Sequence, residues 1–256
     1  MMATRLEVLL SPVEFAQLRN RDLSQTVCVV FDVLRATTSM VTALANGAQA
    51  IIPVREISEA LAIRQQRPDV LLAGEREGLR ICAELTGGVE FDLGNSPREY
   101  TAQKVQGKTI VMTTTNGTRA LRACAGARAV LIGCFLNLRA IYSWLQEQRP
   151  PNLILVCSGT IDEPALEDIL AAGAVCERIW PFYAGGHTSD SAEVARRIYP
   201  LMQYDLLGAM KHSRNGRRLL ANPELRNDVW FCVQRETLPF AAELCPDGAV
   251  RKRPVG

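Results

Sequence analysis

Six short apolar runs punctuate the first 160 residues, and each is followed by a polar loop and then by helical pattern. The runs are Thr26 to Phe31, Ala50 to Val54, Val70 to Ala73, Thr109 to Met112, Ala129 to Ile132 and Leu153 to Val156. Runs this short and this uniformly apolar match strands buried on both faces. Between and after them, Thr37 to Asn46, Ser58 to Gln66, Thr118 to Ala125, Leu138 to Gln148 and Glu167 to Trp180 carry the spacing of helices. Strands alternating with helices predict an α/β chain: a three-layer α/β/α fold around a mostly parallel or mixed sheet. Asn46-Gly47 and Gly126 follow two of the helices, where left-handed caps are expected.

The order of elements repeats. One unit, about residues 26–76, reads strand, Thr-rich loop, helix ending in Gly-Ala, strand, helix, Arg-Pro, strand. A second, about 107–160, reads the same way. This predicts an internally duplicated strand-loop-helix unit within a single domain spanning 1–256. It also predicts that corresponding loops meet at one cleft outside the carboxyl ends of the strands. Past Ser189 the pattern weakens to one or two amphipathic helices, a strand-like run Asn227 to Val233, and a loose polar end from Cys245.

Composition removes several classes. Hydrophobic residues make up 48% and charged residues 22%, which suits a folded core. No apolar run approaches the roughly 18 residues of a membrane span, and Met1 to Pro12 lacks a signal sequence, so a cytoplasmic enzyme is expected. A net charge of +2 makes no case for nucleic acid. A homo-oligomer is compatible with this composition. The eight cysteines stand singly and without a C-x-x-C pair, which predicts reduced core thiols rather than a zinc or redox motif.

The residues that carry chemistry sit at predicted strand ends. Thr113, Thr114, Thr115, Asn116, Gly117 and Thr118 join a strand to a helix, where hydroxyls, a glycine and free N–H groups make an anion cradle. Simple capping by Thr115 or Asn116 would need only one of them. In the first unit Asp32 closes a strand, and Arg35 follows within pairing distance. A carboxylate there can ligate a hard cation or attack phosphorus. Glu75 and Arg76 end another strand, as do Ser158 and Thr160. Asn95 and Ser96 precede Pro97, a turn followed by a helix start. Asp168 lies in the first turn of a helix, where acids suit the dipole.

Three familiar phosphate-ester chemistries fail on the residues. The two histidines, His187 and His212, lack an Arg-His-Gly context. Leu34 stands where an Asp-x-Asp motif needs its second acid. The only Cys-x₅-Arg spacing, Cys245 to Arg251, lacks its flanking residues.

With these residues in view, the chain resembles the 2-phosphosulfolactate phosphatase family. The resemblance rests on "DVLRATTS", "GER", "FDLGNSPREYT", "GKTIVMTTTNGTRAL", "SGT" and "LEDILAAG", in order across about residues 26–180. It implies Mg²⁺-dependent hydrolysis of phosphate monoesters of small acidic 2-hydroxy acids, named for phosphosulfolactate on a route to coenzyme M. Carried over by position, it makes Asp32, Arg35, Glu75, Arg76 and Asp168 catalytic candidates, with Asp32 and Glu75 as metal ligands. The 113–118 loop, Asn95, Ser96, Ser158 and Thr160 become substrate contacts, and Arg35 or Arg76 would hold the carboxylate or sulfonate. Direct attack by water and an Asp32 acyl-phosphate both remain open. So does a noncatalytic binding protein, or another enzyme class, that recognises an acidic phosphometabolite. The segment 79–90 is longer than the family's usual connection and is expected beside the cleft.

Overall fold

The computed structural model describes residues 4–253. All six predicted strands and all five predicted helices are present, with ends shifted by a few residues. The first unit runs β2 (Thr26–Phe31), α1 (Ala36–Ala45), β3 (Ala50–Val54), α2 (Ile57–Gln66) and β4 (Leu71–Arg76), preceded by β1 (Arg5–Leu9). A hairpin partner β5 (Leu79–Arg80) and two single turns, α3 (Ala83–Thr86) and α4 (Ala102–Val105), lead to the second unit. That unit runs β6 (Thr109–Thr113), α5 (Gly117–Ala123), β7 (Ala129–Gly133), α6 (Leu138–Gln148) and β8 (Asn152–Cys157). The remainder is α7 (Leu166–Tyr183), β9 (His187–Thr188), α8 (Asp190–Met202), α9 (Leu206–Met210), α10 (Arg214–Ala221), α11 (Arg226–Cys232), β10 (Ala242–Leu244) and β11 (Val250–Lys252). Gly47 and Gly126 take the expected left-handed φ, at 92° and 84°.

The strands form one mixed sheet in the order β5-β4-β6-β3-β11-β10-β7-β2-β8-β1-β9. The two units trade their first strands. β6 pairs in parallel with β3 and β4 of the first unit, and β2 pairs in parallel with β7 and β8 of the second. Each unit therefore needs the other to complete its own sheet. The reason the strands read as unbroken apolar runs is visible in β2: alternate side chains enter different cores. Val27, Val29 and Phe31 pack toward α6 and α7, whereas Cys28 and Val30 pack toward α1 and α5. The β10-β11 pair divides the sheet into a smaller block, β5-β4-β6-β3, and a larger one, β7-β2-β8-β1-β9. On the far side of the smaller block, Val54, Leu72 and Val111 pack with Ala60 of α2. Helices thus cover both faces of each block in three α/β/α layers, with α1 and α5 between the blocks.

Two expectations past Ser189 are corrected. Asn227 to Val233 is helical, not strand-like, and Asp228, Val229 and Cys232 form its buried stripe. Its dense apolar and aromatic content resembles a strand, but the burial follows a helical period. The end of the chain from Cys245 is not loose as far as residue 253; residues 254–256 lie outside the described region. Pro246-Asp247-Gly248 turns a hairpin, and β10 and β11 fill the gap between β7 and β3. The Arg251 fork of the Cys-x₅-Arg spacing binds Asp247 at 2.8 and 2.7 Å. The eight cysteines are free thiols, and all but Cys82 and Cys245 are buried. β1 went unread because it offers only five residues, beginning with an exposed arginine.

The hairpin is also the bend of the molecule. In the sheet order β6 and β8 stand six strand steps apart, about 29 Å in a flat sheet at about 4.8 Å per step. Yet the Asn116 side-chain amide, after β6, donates to Gly159 O, after β8, at 2.8 Å. The sheet closes back on itself across a hairpin that meets β3 through one residue pair, Val250 with Ile51. Val250 is wholly buried there. Val250→Asp should therefore cost at least about 4 kcal/mol of unfolding free energy, as an unpaired charge in a packed seam. Equilibrium urea denaturation measures this directly.

Candidate active site

The carboxyl ends of β2, β4, β6 and β8 open into one cleft of about 720 Å³. β2 delivers Asp32 to it. The Asp32 Oδ1 accepts the Ala36 amide at 3.2 Å, while its own amide donates to Thr37 Oγ1 at 3.0 Å. Its Oδ2 faces Gly117, whose missing side chain leaves it room: a Cβ there would come within 2.7 Å of that oxygen and 2.8 Å of Ala36 Cβ. β4 delivers Glu75. Its Oε1 accepts the amide and hydroxyl of Thr115 at 2.9 and 3.0 Å, and its Oε2 accepts the Gly78 amide at 2.8 Å.

Burial, reinforced by the charges of Glu75 and Glu167, raises Asp32 from its ordinary value to about 7. The Ala36 amide and the Arg35 guanidinium oppose that rise. A carboxyl poised near neutral pH in a cleft is characteristic of a functional group rather than a structural ion pair.

The remaining candidates divide between the cleft and its framework. Arg35, Arg76, Asn95, Thr115, Asn116 and Thr160 line the cleft. Arg35 does not pair with Asp32; its fork donates to Asp228 Oδ2 at 2.8 Å and to Gly78 O at 2.6 Å. Arg76 donates to Glu75 O at 2.7 Å and to Thr113 Oγ1 at 3.1 Å. Ser96 faces away, donating to Asp228 Oδ1 at 2.6 Å. Asp168 is buried behind the cleft, where it accepts the amides of Val33 at 2.8 Å and Gly159 at 3.0 Å. Burial and the neighbouring Asp32 and Glu167 charges push Asp168 upward. Among these candidates, two buried atoms lack a protein partner, Asn95 Oδ1 in the cleft wall and Ser158 Oγ behind it. Buried polar atoms are seldom left so, and at a cleft a ligand or water is the ordinary complement.

The loop from Thr113 to Thr118 serves two purposes. Only Thr115 and Asn116 face the cleft. Thr113 donates to Arg55 O at 2.9 Å. Thr118 donates its hydroxyl to Thr114 O at 3.0 Å, and its amide to Thr114 Oγ1 at 3.4 Å. Asn116 stands at the N-cap position of α5 without a side-chain capping bond, and it is Thr114 Oγ1 that accepts a first-turn amide. Thr114 and Thr118 look instead into a neighbouring groove with Arg119 and Arg122.

Sequence reasoning missed Glu77, Gly78 and Ile161, which shape the rim, and Asn215 and Arg218 from α10. Glu77 and Ile161 hold left-handed φ of 55° and 60°, strained for any side chain and most for the β-branched isoleucine. The signal for α10 was present in Ser213-Arg214-Asn215-Gly216-Arg217-Arg218. Ser213 caps the helix, and positions 215 and 218 share a face. The segment 79–90 contributes no lining residue; the cleft wall stops at Gly78, and Leu79, Leu85 and Val89 are exposed.

Residues 14–245, which include every cleft residue named above, match the family described as 2-phosphosulpholactate phosphatase. The chain belongs to the 2-phosphosulfolactate phosphatase family. Membership in the 2-phosphosulfolactate phosphatase family makes the chain a phosphoric monoester hydrolase. It is 37% identical over 241 residues to a protein of Caldanaerobacter subterraneus named "Probable 2-phosphosulfolactate phosphatase", covering 93% of this chain and 95% of that one. A Thermotoga petrophila protein of the same name is 40% identical over 208 residues, covering 81% and 84%. One from Symbiobacterium thermophilum is 39% identical over 222 residues, covering 85% and 90%.

The packing around Gly117 makes a sharp expectation. Gly117→Ala should lower kcat/KM at least about 100-fold by displacing Asp32, with about 1–3 kcal/mol of overpacking cost. Thr118→Val, which removes a hydroxyl bonded to Thr114 O outside the cleft, should instead cost about 1 kcal/mol and leave turnover within about twofold. Melting curves recorded beside phosphate-release kinetics separate the two effects.

Proposed function

We propose that this chain is a Mg²⁺-dependent phosphatase that releases phosphate from a small acidic 2-hydroxy acid, converting 2-phosphosulfolactate to sulfolactate. The observation that carries the reading is the meeting of Asp32 and Glu75 with Thr115 and Asn116 in one cleft. The names of the relatives supply the substrate.

The donor set suits a hard cation. Among the described residues, no group of three or more His, Cys, Asp or Glu forms a ready-made metal cage. Mg²⁺ rarely uses one; it keeps waters and takes one or two carboxylates together with substrate phosphate oxygens. Asp32, with Oδ2 directed toward the small Gly117, and Glu75 would hold it, and it would supply charge neutralisation for the phosphoryl oxygens. Around that centre the chain's own groups orient the ester. The Thr115 hydroxyl is fixed by Glu75, and the Asn116 amide by Gly159 O. Such fixed polar groups act on phosphoryl transfer by positioning and electrostatics.

The raised Asp32 sets a pH signature. Its folded-state pKa of about 7 lies above the ordinary 3.8. The folded protein therefore binds this proton more tightly than the unfolded chain, and stability falls as pH rises from about 4 through 7. A cation needs the ionised form and competes with the proton. The rise in melting temperature on adding MgCl₂ should accordingly be larger at pH 8 than at pH 6. Equal shifts at both pH values would remove Asp32 from the ligand set. Asp32→Asn should cut phosphate release from 2-phosphosulfolactate at least about 1,000-fold. It should also raise the stability of the metal-free protein at pH 8 by about 0.5–2 kcal/mol, because a buried charge is gone. Kinetics and denaturation on the same preparation test both halves.

A further inference from the structure

We infer that Arg218 of α10 forms a second anion subsite, which receives a non-reacting acid group of the substrate, its carboxylate or sulfonate, and sets the enzyme's preference for acidic esters. The inference rests on the reading of the cleft as a phosphatase site and adds to it the residue that selects the substrate.

Three guanidinium groups line the cleft, those of Arg35, Arg76 and Arg218. Two are committed to the protein. Arg35 is buried and binds Asp228 and Gly78 O, and Arg76 is bound to Glu75 O and Thr113 Oγ1. Arg218 has neither a hydrogen bond nor an ion pair to any described residue, and it is exposed to the cleft. An uncommitted guanidinium fork at the wall of a ligand cleft matches a carboxylate or sulfonate in charge and in geometry.

Its placement is fixed rather than incidental. Asn215 donates its side-chain amide to Thr160 Oγ1 at 2.6 Å and to the buried Glu167 Oε1 at 2.9 Å. Arg214 donates to Thr160 O at 2.7 Å. These bonds seat α10 on the loop after β8. Arg218 lies three residues beyond Asn215, on the same helical face, and so is turned toward the cleft. On the opposite wall, Gly78 receives it. A Cβ on Gly78 would stand 3.4 Å from the Arg218 guanidinium carbon, and φ there is +84°. The same residue accepts Arg35 through its carbonyl and donates its amide to Glu75. Gly78 thus sets Arg218 in register with the carboxylate pair. The cleft then has two poles, with Asp32, Glu75, Thr115 and Asn116 for the phosphoryl group and Arg218 for the second acid.

The test is steady-state phosphate release with MgCl₂ by Arg218→Gln, Arg217→Gln and the unmodified protein. The substrates are 2-phosphosulfolactate and p-nitrophenyl phosphate, whose alcohol carries no acid. For Arg218→Gln, KM for phosphosulfolactate should rise about 10- to 100-fold with kcat within about threefold, since one charge-assisted pair to a bound anion is lost. The ratio of kcat/KM between the two substrates should fall by the same factor. Arg217→Gln, whose guanidinium reaches His212 O on the outer side, should leave the ratio unchanged. Arg218→Lys should recover part of the loss, as charge without a fork. An unchanged ratio for Arg218→Gln, or an equal fall on both substrates, overturns the subsite. If the unmodified protein releases phosphate from neither substrate, the phosphatase reading fails. Calorimetry with sulfolactate then tests the subsite alone: weaker binding to Arg218→Gln than to Arg217→Gln supports it, and equal binding or none refutes it.

Discussion

The Asp168 carboxylate accepts the amide of Val33 through one oxygen and the amide of Gly159 through the other. Val33 follows Asp32 after β2, and Gly159 precedes Thr160 after β8. A single buried side chain on α7 therefore clamps the two loops that face the cleft from the larger block. It does so from behind the cleft, whose lining it does not join. Ionised carboxylates make stronger hydrogen bonds to backbone N–H groups than neutral acids do. The clamp works against the desolvation and like charge that push Asp168 upward. Asp32 and this clamp are electrostatic neighbours: the Asp32 charge is among the causes that push Asp168 upward.

A comparable device ties the loop after β2 to the smaller block. Asp228 on α11 is completely buried and gathers Arg35, Ser96 and Arg98. Arg35 passes the connection to Gly78 O, and the Gly78 amide passes it to Glu75. Removing Asp228 would leave a buried guanidinium uncompensated, which is far more damaging than losing a surface pair. The elements after Ser189 contribute little to the sheet's parallel core, but they supply this anchor, the α10 wall and the β10-β11 seam. The two units build the cleft, and the C-terminal helices and hairpin close it.

This division explains what the sequence could reveal. The strand and helix signals of residues 26–180 are strong because every residue of β2, β6 and β7 is buried, so apolar runs and element bounds coincide. Asp32, Glu75, Thr115 and Thr160 were legible because a polar residue directly after such a run must emerge at a strand end. The partners of those residues were not legible. Asp228 lies in an apolar stretch that reads as strand, and nothing local marks it as the counter-ion of a residue 193 positions away. Arg35 stands three residues from Asp32, which suggests a local pair, but a buried arginine goes to whichever carboxylate the tertiary fold presents. The terminal hairpin was obscured by its charge: Arg251, Lys252 and Arg253 read as solvated tail, although Val250 alone carries the pairing to β3.

The loop from Thr113 to Thr118 shows why residue type alone overstates a cradle. Six small or polar residues in a row offer many donors, but an α-helix start must first satisfy its own free amides. Thr114 and Thr118 do this between themselves, and Thr113 ties the strand end to Arg55. What is left for a ligand is Thr115 and Asn116, each already oriented by one protein acceptor, Glu75 or Gly159 O. Gly117 is the hinge of the arrangement, since any larger residue would collide with Asp32 across the gap between the units. The run is therefore less a nest of equivalent donors than a joint. Half of it builds the helix, and half carries two fixed groups to the point where the second unit meets the carboxylate of the first.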